Sequence, residues 1–115
     1  MSLLRLELWW RAQRYRRRLD PAEIAWMRDF LQQGDCAVDV GAHKGGYAYW
    51  MLQSVGWMGH VFAFEPQPVL AAYLQRARVA LRAPNLTVEH LAVSDAPGEA
   101  VLNVPNARSS PGASL

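Results

Sequence analysis

With 115 residues the chain has room for one domain, and it is short beside the roughly 150–250 residues of a complete α/β enzyme. A composition that is 51% hydrophobic and 19% charged supports a packed core and excludes a disordered chain. Cys36 is the only cysteine, so an intrachain disulfide is excluded. No apolar run approaches the ~20 residues of a membrane span or forms a signal-peptide core, and a soluble, cytoplasmic protein is the expectation.

The net charge of +2 conceals an asymmetry: residues 1–18 hold six arginines and one acid, Glu7, whereas the remainder is net negative. Within this leader (1–19), Leu3, Leu6 and Trp10, with Leu4 and Leu8, recur at helical spacing, and the arginines crowd toward the C-terminal end, where they suit a helix dipole. A basic amphipathic helix is expected, packed on the domain or on a second copy. Contact with an anionic membrane surface or nucleic acid, or a solvated arm, are the alternatives. Next, Asp20, Pro21 and Glu23 have the order of a helix cap, first-turn proline and capping box. The helix they open has Ile24, Met27, Phe30 and Leu31 on its apolar face and Gly34 as its left-handed stop. CAVDV (36–40) then reads as a strand buried on both faces of a parallel sheet, with Cys36 as a core residue rather than a nucleophile.

A second helix is expected from Gly45 or Gly46 to Val55, and a second buried strand over HVFAFE (60–65). Leu70, Leu74, Ala77 and Leu81 share one face of a third helix, which Pro84 and Asn85 close. LTVEHLAV (86–93) is a third strand. A Pro-Gly turn leads to a fourth, antiparallel or edge segment, and residues 105–115 are a polar tail.

Strand, helix, strand, helix, strand around a glycine-rich turn is a mononucleotide-binding half, with its ligand at the C-terminal ends of the strands. The turn VDVGAHKGGYAYW admits three ligands. In a dinucleotide fingerprint starting at Gly41, the second glycine falls on His43, whose side chain obstructs a pyrophosphate; in a triphosphate loop, Lys44 precedes the glycines it should follow. S-adenosylmethionine has no phosphates and needs a small-residue turn plus an acid for its ribose hydroxyls. Glu65, about 20 residues beyond Gly45, can accept both hydroxyls in charge-assisted bonds of roughly 1.5–3 kcal/mol each.

The stretches GDCAVDVGAHKGGYAYWM, GHVFAFEPQP and NLTVEHLAVSDAPGEAVL together resemble the N-terminal half of an FkbM-type S-adenosylmethionine-dependent methyltransferase, over about residues 31–102. The resemblance implies an α/β fold, the Rossmann-like three-layer sandwich of class I methyltransferases. This chain would supply its βαβαβ half and one extra strand (20–104) behind an N-terminal helical extension. It further implies that Asp39, Gly41, Ala42, His43 and Gly45 form the first cofactor motif, that Glu65 binds ribose, and that Ser94 and Asp95 follow the third strand near the adenine. The implied cofactor is S-adenosyl-L-methionine. The implied reaction is O-methylation of a small-molecule, sugar, lipid or natural-product hydroxyl, with no metal, no nucleic acid partner, and peripheral membrane contact or dimerisation through the leader helix.

His43 stands where the family often has asparagine, and Lys44 where an apolar residue is common, which puts a charge beside the cofactor mouth. The family's later D-x-E-G motif and acceptor-shaping strands have no counterpart before Leu115, so no catalytic residue is assigned. Two functional classes follow: an enzyme completed by further sequence or another chain, and a noncatalytic cofactor-binding or interaction module. Structural roles compete at each position. Asp39 can satisfy loop amides, Gly41 and Gly45 can serve the turn alone, Glu65 can be a surface acid, Ser94 and Asp95 can form a turn, and Tyr47, Tyr49, Trp50 and Trp57 are expected to pack. The three histidines, His43, His60 and His90, form no ligand-like cluster.

Overall fold

The computed structural model describes residues 2–93. The elements in chain order are α1 (Leu3–Arg14), a π-helical turn (Tyr15–Leu19), α2 (Pro21–Phe30), β1 (Cys36–Val40), α3 (Gly46–Val55), β2 (His60–Phe64), α4 (Pro68–Ala80) and β3 (Leu86–Glu89). The three strands form one parallel sheet in the order β1-β2-β3, with Cys36 opposite His60 and Val61 opposite Leu86. This is the α/β, partial Rossmann-like arrangement expected. The fourth segment, the tail, Ser94 and Asp95 lie outside the described residues.

Register assigns the two faces of the sheet. Ala37 and Asp39 align with Val61 and Ala63, and these with Leu86 and Val88; all six are buried. With Val55 of α3 and Leu74 of α4 the five apolar ones make the main core, so the two crossover helices cover one face. Successive strand residues point to opposite faces, and Cys36, Val38 and Val40 therefore emerge on the other side, exposed. The expectation that β1 is buried on both faces, with Cys36 in the core, is corrected accordingly: among the described residues, no element covers that face. Only the helical layer on one side of the sheet is therefore present in the described part.

The leader is a covering helix, as one of its expected forms. Ser2 caps α1 by accepting from the Arg5 N–H at 3.1 Å. Leu8 and Ala12 turn inward, and the helix lies across α3 and α4. Its anchors are polar as well as apolar. The buried Trp50 indole donates to the Ala12 carbonyl at 2.8 Å, Arg11 donates to the Tyr73 hydroxyl at 2.7 Å, and that hydroxyl donates to Glu7 at 2.9 Å. Arg28 and Arg16 lie over the Trp50 ring, 4.7 and 5.7 Å from its centroid. Leu3, Leu6 and Trp10, the stripe most visible in the sequence, stay outward. No helix among the described residues is long and apolar enough to cross a membrane.

Three local expectations also change. Asp20 occupies the cap position of α2 with Pro21 first, but its side chain makes no cap bond. Glu23 accepts from the Tyr47 hydroxyl at 2.8 Å instead of closing a capping box, so this phenol competes with the helix end for both acids. Phe30 is exposed and stacks on Trp26, and Leu31 ends the helix, leaving Gly34 (φ +91) to the turn that follows. Trp57 is exposed rather than packed.

Candidate functional site

The loop between β1 and α3 is held from below by the neighbouring strand. Both Gly41 N–H and Ala42 N–H donate to the Phe64 carbonyl, at 2.8 and 3.1 Å, and Gly45 N–H donates to the Ala42 carbonyl at 2.9 Å. Three consecutive turns of direction require left-handed backbone at Gly41 (φ +72), His43 (φ +52) and Gly45 (φ +85). At Gly45 an added Cβ would meet only the Leu74 side-chain end at 3.4 Å, an ordinary contact, so the left-handed backbone is what calls for glycine there. A histidine at φ +52 is uncommon but tolerated, as is asparagine, which gives the substitution at this position a backbone rationale.

Glu65 follows β2 directly and is 2% exposed. One carboxylate oxygen accepts the His43 N–H at 2.8 Å and the other the Gln67 N–H at 2.9 Å. The acid thus joins the glycine loop to the start of α4. Each oxygen retains a further lone pair for a hydroxyl donor.

Asp39 lies two residues before Gly41 on the covered face of β1. Burial, reinforced by the Glu65 charge and opposed by a bond from the Ala48 N–H, raises its pKa from 3.8 to about 6. Its Oδ2 and the His43 Nε2 are buried polar atoms without a partner among the described residues. The His43 pKa is lowered chiefly by burial; Glu65 opposes the shift, while Lys44 and Arg11 add to it. The imidazole is accordingly neutral at pH 7. Tyr47, between Asp20 and Glu23, has its pKa raised by burial first and by these two acids next.

One cavity of about 260 Å³ brings Gly41, Ala42, His43 and Glu65 together at the C-terminal ends of β1 and β2. The sequence reading missed several of its walls: Tyr15, Asp20, Gly46, Tyr47 and Gln67 also line it. Gly45 does not. Gly46 is where the leader enters the site, because a Cβ there would lie 2.6 Å from the Tyr15 ring, which also makes an edge contact with Tyr47 at 5.8 Å. A second glycine after the turn was the available signal for this close approach. Among the described residues, no group of three His, Cys, Asp or Glu side chains could hold a metal ion.

Comparisons with known proteins agree with this geometry. The methyltransferase FkbM domain matches residues 39–114. No curated protein matches the chain. Among solved structures, a putative rRNA-methylase from Clostridium thermocellum aligns with a TM-score of 0.60 at 22% identity, covering 63% of this chain and 41% of its own. A SAM-dependent methyltransferase from Aquifex aeolicus aligns with a TM-score of 0.57 at 24% identity, covering 79% and 47%. A SAM-dependent O-methyltransferase from Thermotoga maritima gives 0.54 at 22%, covering 61% and 28%. At these identities the likeness shows the fold. The chain spans less than half the length of each of these structures.

Proposed function

Since the chain belongs to the methyltransferase FkbM domain family, we propose that its glycine-loop cavity binds S-adenosyl-L-methionine and that the protein takes part in O-methylation of a sugar, lipid or natural-product hydroxyl. The observation that carries this reading is Glu65, a nearly sequestered acid at the end of β2 whose two oxygens are fixed by the His43 and Gln67 amides. Fixed in this way, the carboxylate is pre-organised to accept a ribose diol without losing side-chain freedom on binding. The residues fit a nucleoside end. The cavity is smaller than the roughly 300–1,000 Å³ of typical ligand pockets, so the described residues hold a part of such a ligand rather than all of it.

Within that cavity Gly41 and Ala42 let a ligand approach the backbone closely, and Glu65 fixes its sugar. His43 lines the cavity beside Glu65, with its Nε2 unpartnered among the described residues. Tyr15 and Tyr47 add aromatic wall from the leader and α3. When bound, S-adenosyl-L-methionine supplies an electrophilic methyl group on a sulfonium. The protein's part is alignment and exclusion of water, which make an in-line transfer effectively unimolecular.

Isothermal calorimetry with S-adenosylhomocysteine tests the reading. Binding is expected, and Glu65→Ala is expected to weaken it at least tenfold, since one lost charge-assisted bond is worth about 1.5–3 kcal/mol. Absence of heat with the wild-type chain would overturn it.

A further inference from the structure

The parallel strands place the turns before β2 and β3 at the end of the molecule opposite the glycine loop. There the turn Gly56–Gly59 lifts Trp57 and Met58 into solvent, 86% and 71% exposed. A surface cavity of about 260 Å³ brings Trp57 together with Arg5 and Trp9 of α1 and with Arg82, which precedes β3. Leu3 (87% exposed), Leu6 and Trp10 continue this apolar surface along the outer side of α1, opposite Leu8 and Ala12. The sequence stripe read as a packing face is therefore an outward one, and the structure adds to it an aromatic turn and an arginine from distant parts of the chain.

We propose that this end of the protein rests on an anionic lipid bilayer. The chemistry of the exposed groups selects that partner. Indole rings favour the headgroup boundary, Leu3, Leu6 and Met58 can enter the acyl region, and Arg5 and Arg82 meet lipid phosphates. Arg5 and Arg82, the two arginines that line the surface cavity at this end, supply the attraction. Glu7, the leader's one acid, is already engaged by Arg11 and Tyr73. A nucleic acid would use the arginines but gain nothing from the aliphatic side chains. A second copy docked through this patch would set Arg5 and Arg82 against the same two arginines. The protein lies on the bilayer rather than spanning it, in keeping with the short helices of the described part. Lipid contact at this end does not depend on methyl-donor binding at the other.

Sedimentation of the full chain with vesicles tests it. Phosphatidylcholine vesicles containing phosphatidylglycerol are expected to carry the protein down, and phosphatidylcholine alone is not. The double variant Trp57→Ser, Met58→Ser is expected to weaken binding about tenfold or more, and Arg5→Glu with Arg82→Glu likewise, with loss of salt sensitivity. Leu3→Ser, at a position with little contact to lose, should also weaken binding, and unchanged thermal melting shows that its fold is intact. Equal binding to both vesicle types, or binding unaffected by all three variants, would overturn the proposal. So would binding of an RNA oligonucleotide, or self-association, without any vesicle binding.

Discussion

Asp39→Asn is a direct probe of the site, because it removes a charge that burial makes expensive. In the unfolded chain the carboxyl ionises near 3.8, and in the fold at about 6. Below pH 3.8 it is protonated in both states and costs nothing. As pH rises from about 4 to 6 the unfolded chain releases the proton first, so stability falls. Above 6 both states are ionised, and the whole deficit of about 3 kcal/mol is present, since a tenfold change in an ionisation constant corresponds to about 1.4 kcal/mol. That is a large share of the roughly 5–15 kcal/mol that holds a domain together. Asn keeps an acceptor for the Ala48 N–H but places an amide donor where Oδ2 has no partner, a constant cost of about 1–3 kcal/mol. The sign at any single pH is therefore less informative than the slope. Urea unfolding from about pH 3.5 to 8 should show the wild-type chain losing about 3 kcal/mol relative to Asp39→Asn across the window. Parallel curves for the two proteins would refute the reasoning. Glu65→Gln should shrink the amplitude in an otherwise wild-type chain, because it removes the second cause of the raised pKa.

Two further outcomes follow from the leader's fit. Gly46→Ala drives a Cβ into the Tyr15 ring and should cost about 1–3 kcal/mol of overpacking, partly offset by about 0.5–1 kcal/mol of helix preference. In a Tyr15→Ala background the same change should become stabilising; thermal unfolding of all four proteins measures the coupling, and additive effects would sink the argument. Trp50→Phe removes the indole bond to the Ala12 carbonyl, which keeps the Tyr15 N–H as a donor, and should cost about 0.5–1.5 kcal/mol. Trypsin should then cut the arginine-rich segment 14–18 faster, and an unchanged cleavage rate would count against Trp50 as the anchor.

The parts of this fold legible in the sequence were those set by local chemistry. The second helix began and ended as its flanking glycines indicated, and the strands started at Cys36, His60 and Leu86 as expected. Glu65 stood out because an acid closing an apolar strand has few purely structural uses. What could not be read was the direction in which a residue faces when two directions are apolar. CAVDV carries nothing to distinguish a face covered by helices from an open one, and α1 is apolar both at Leu8 and Ala12 and at Leu3, Leu6 and Trp10. Competition between distant groups was equally hidden. The Tyr47 hydroxyl draws Glu23 away from its own helix end, and Tyr15 reaches a glycine 31 residues later.

The β1-β2-β3 order has a consequence for how the domain comes together. Neighbours in the sheet are neighbours in the chain, and each crossover closes a loop of only about 25 residues, a modest entropic barrier. The sheet and its two helices can grow outward from β1 as synthesis proceeds. The leader cannot join at that pace: its anchors Trp50 and Tyr73 are made long after it. The leader, synthesised before its anchors, is thus the last of these elements to find its place, and until then its inner and outer apolar sides are both open to water.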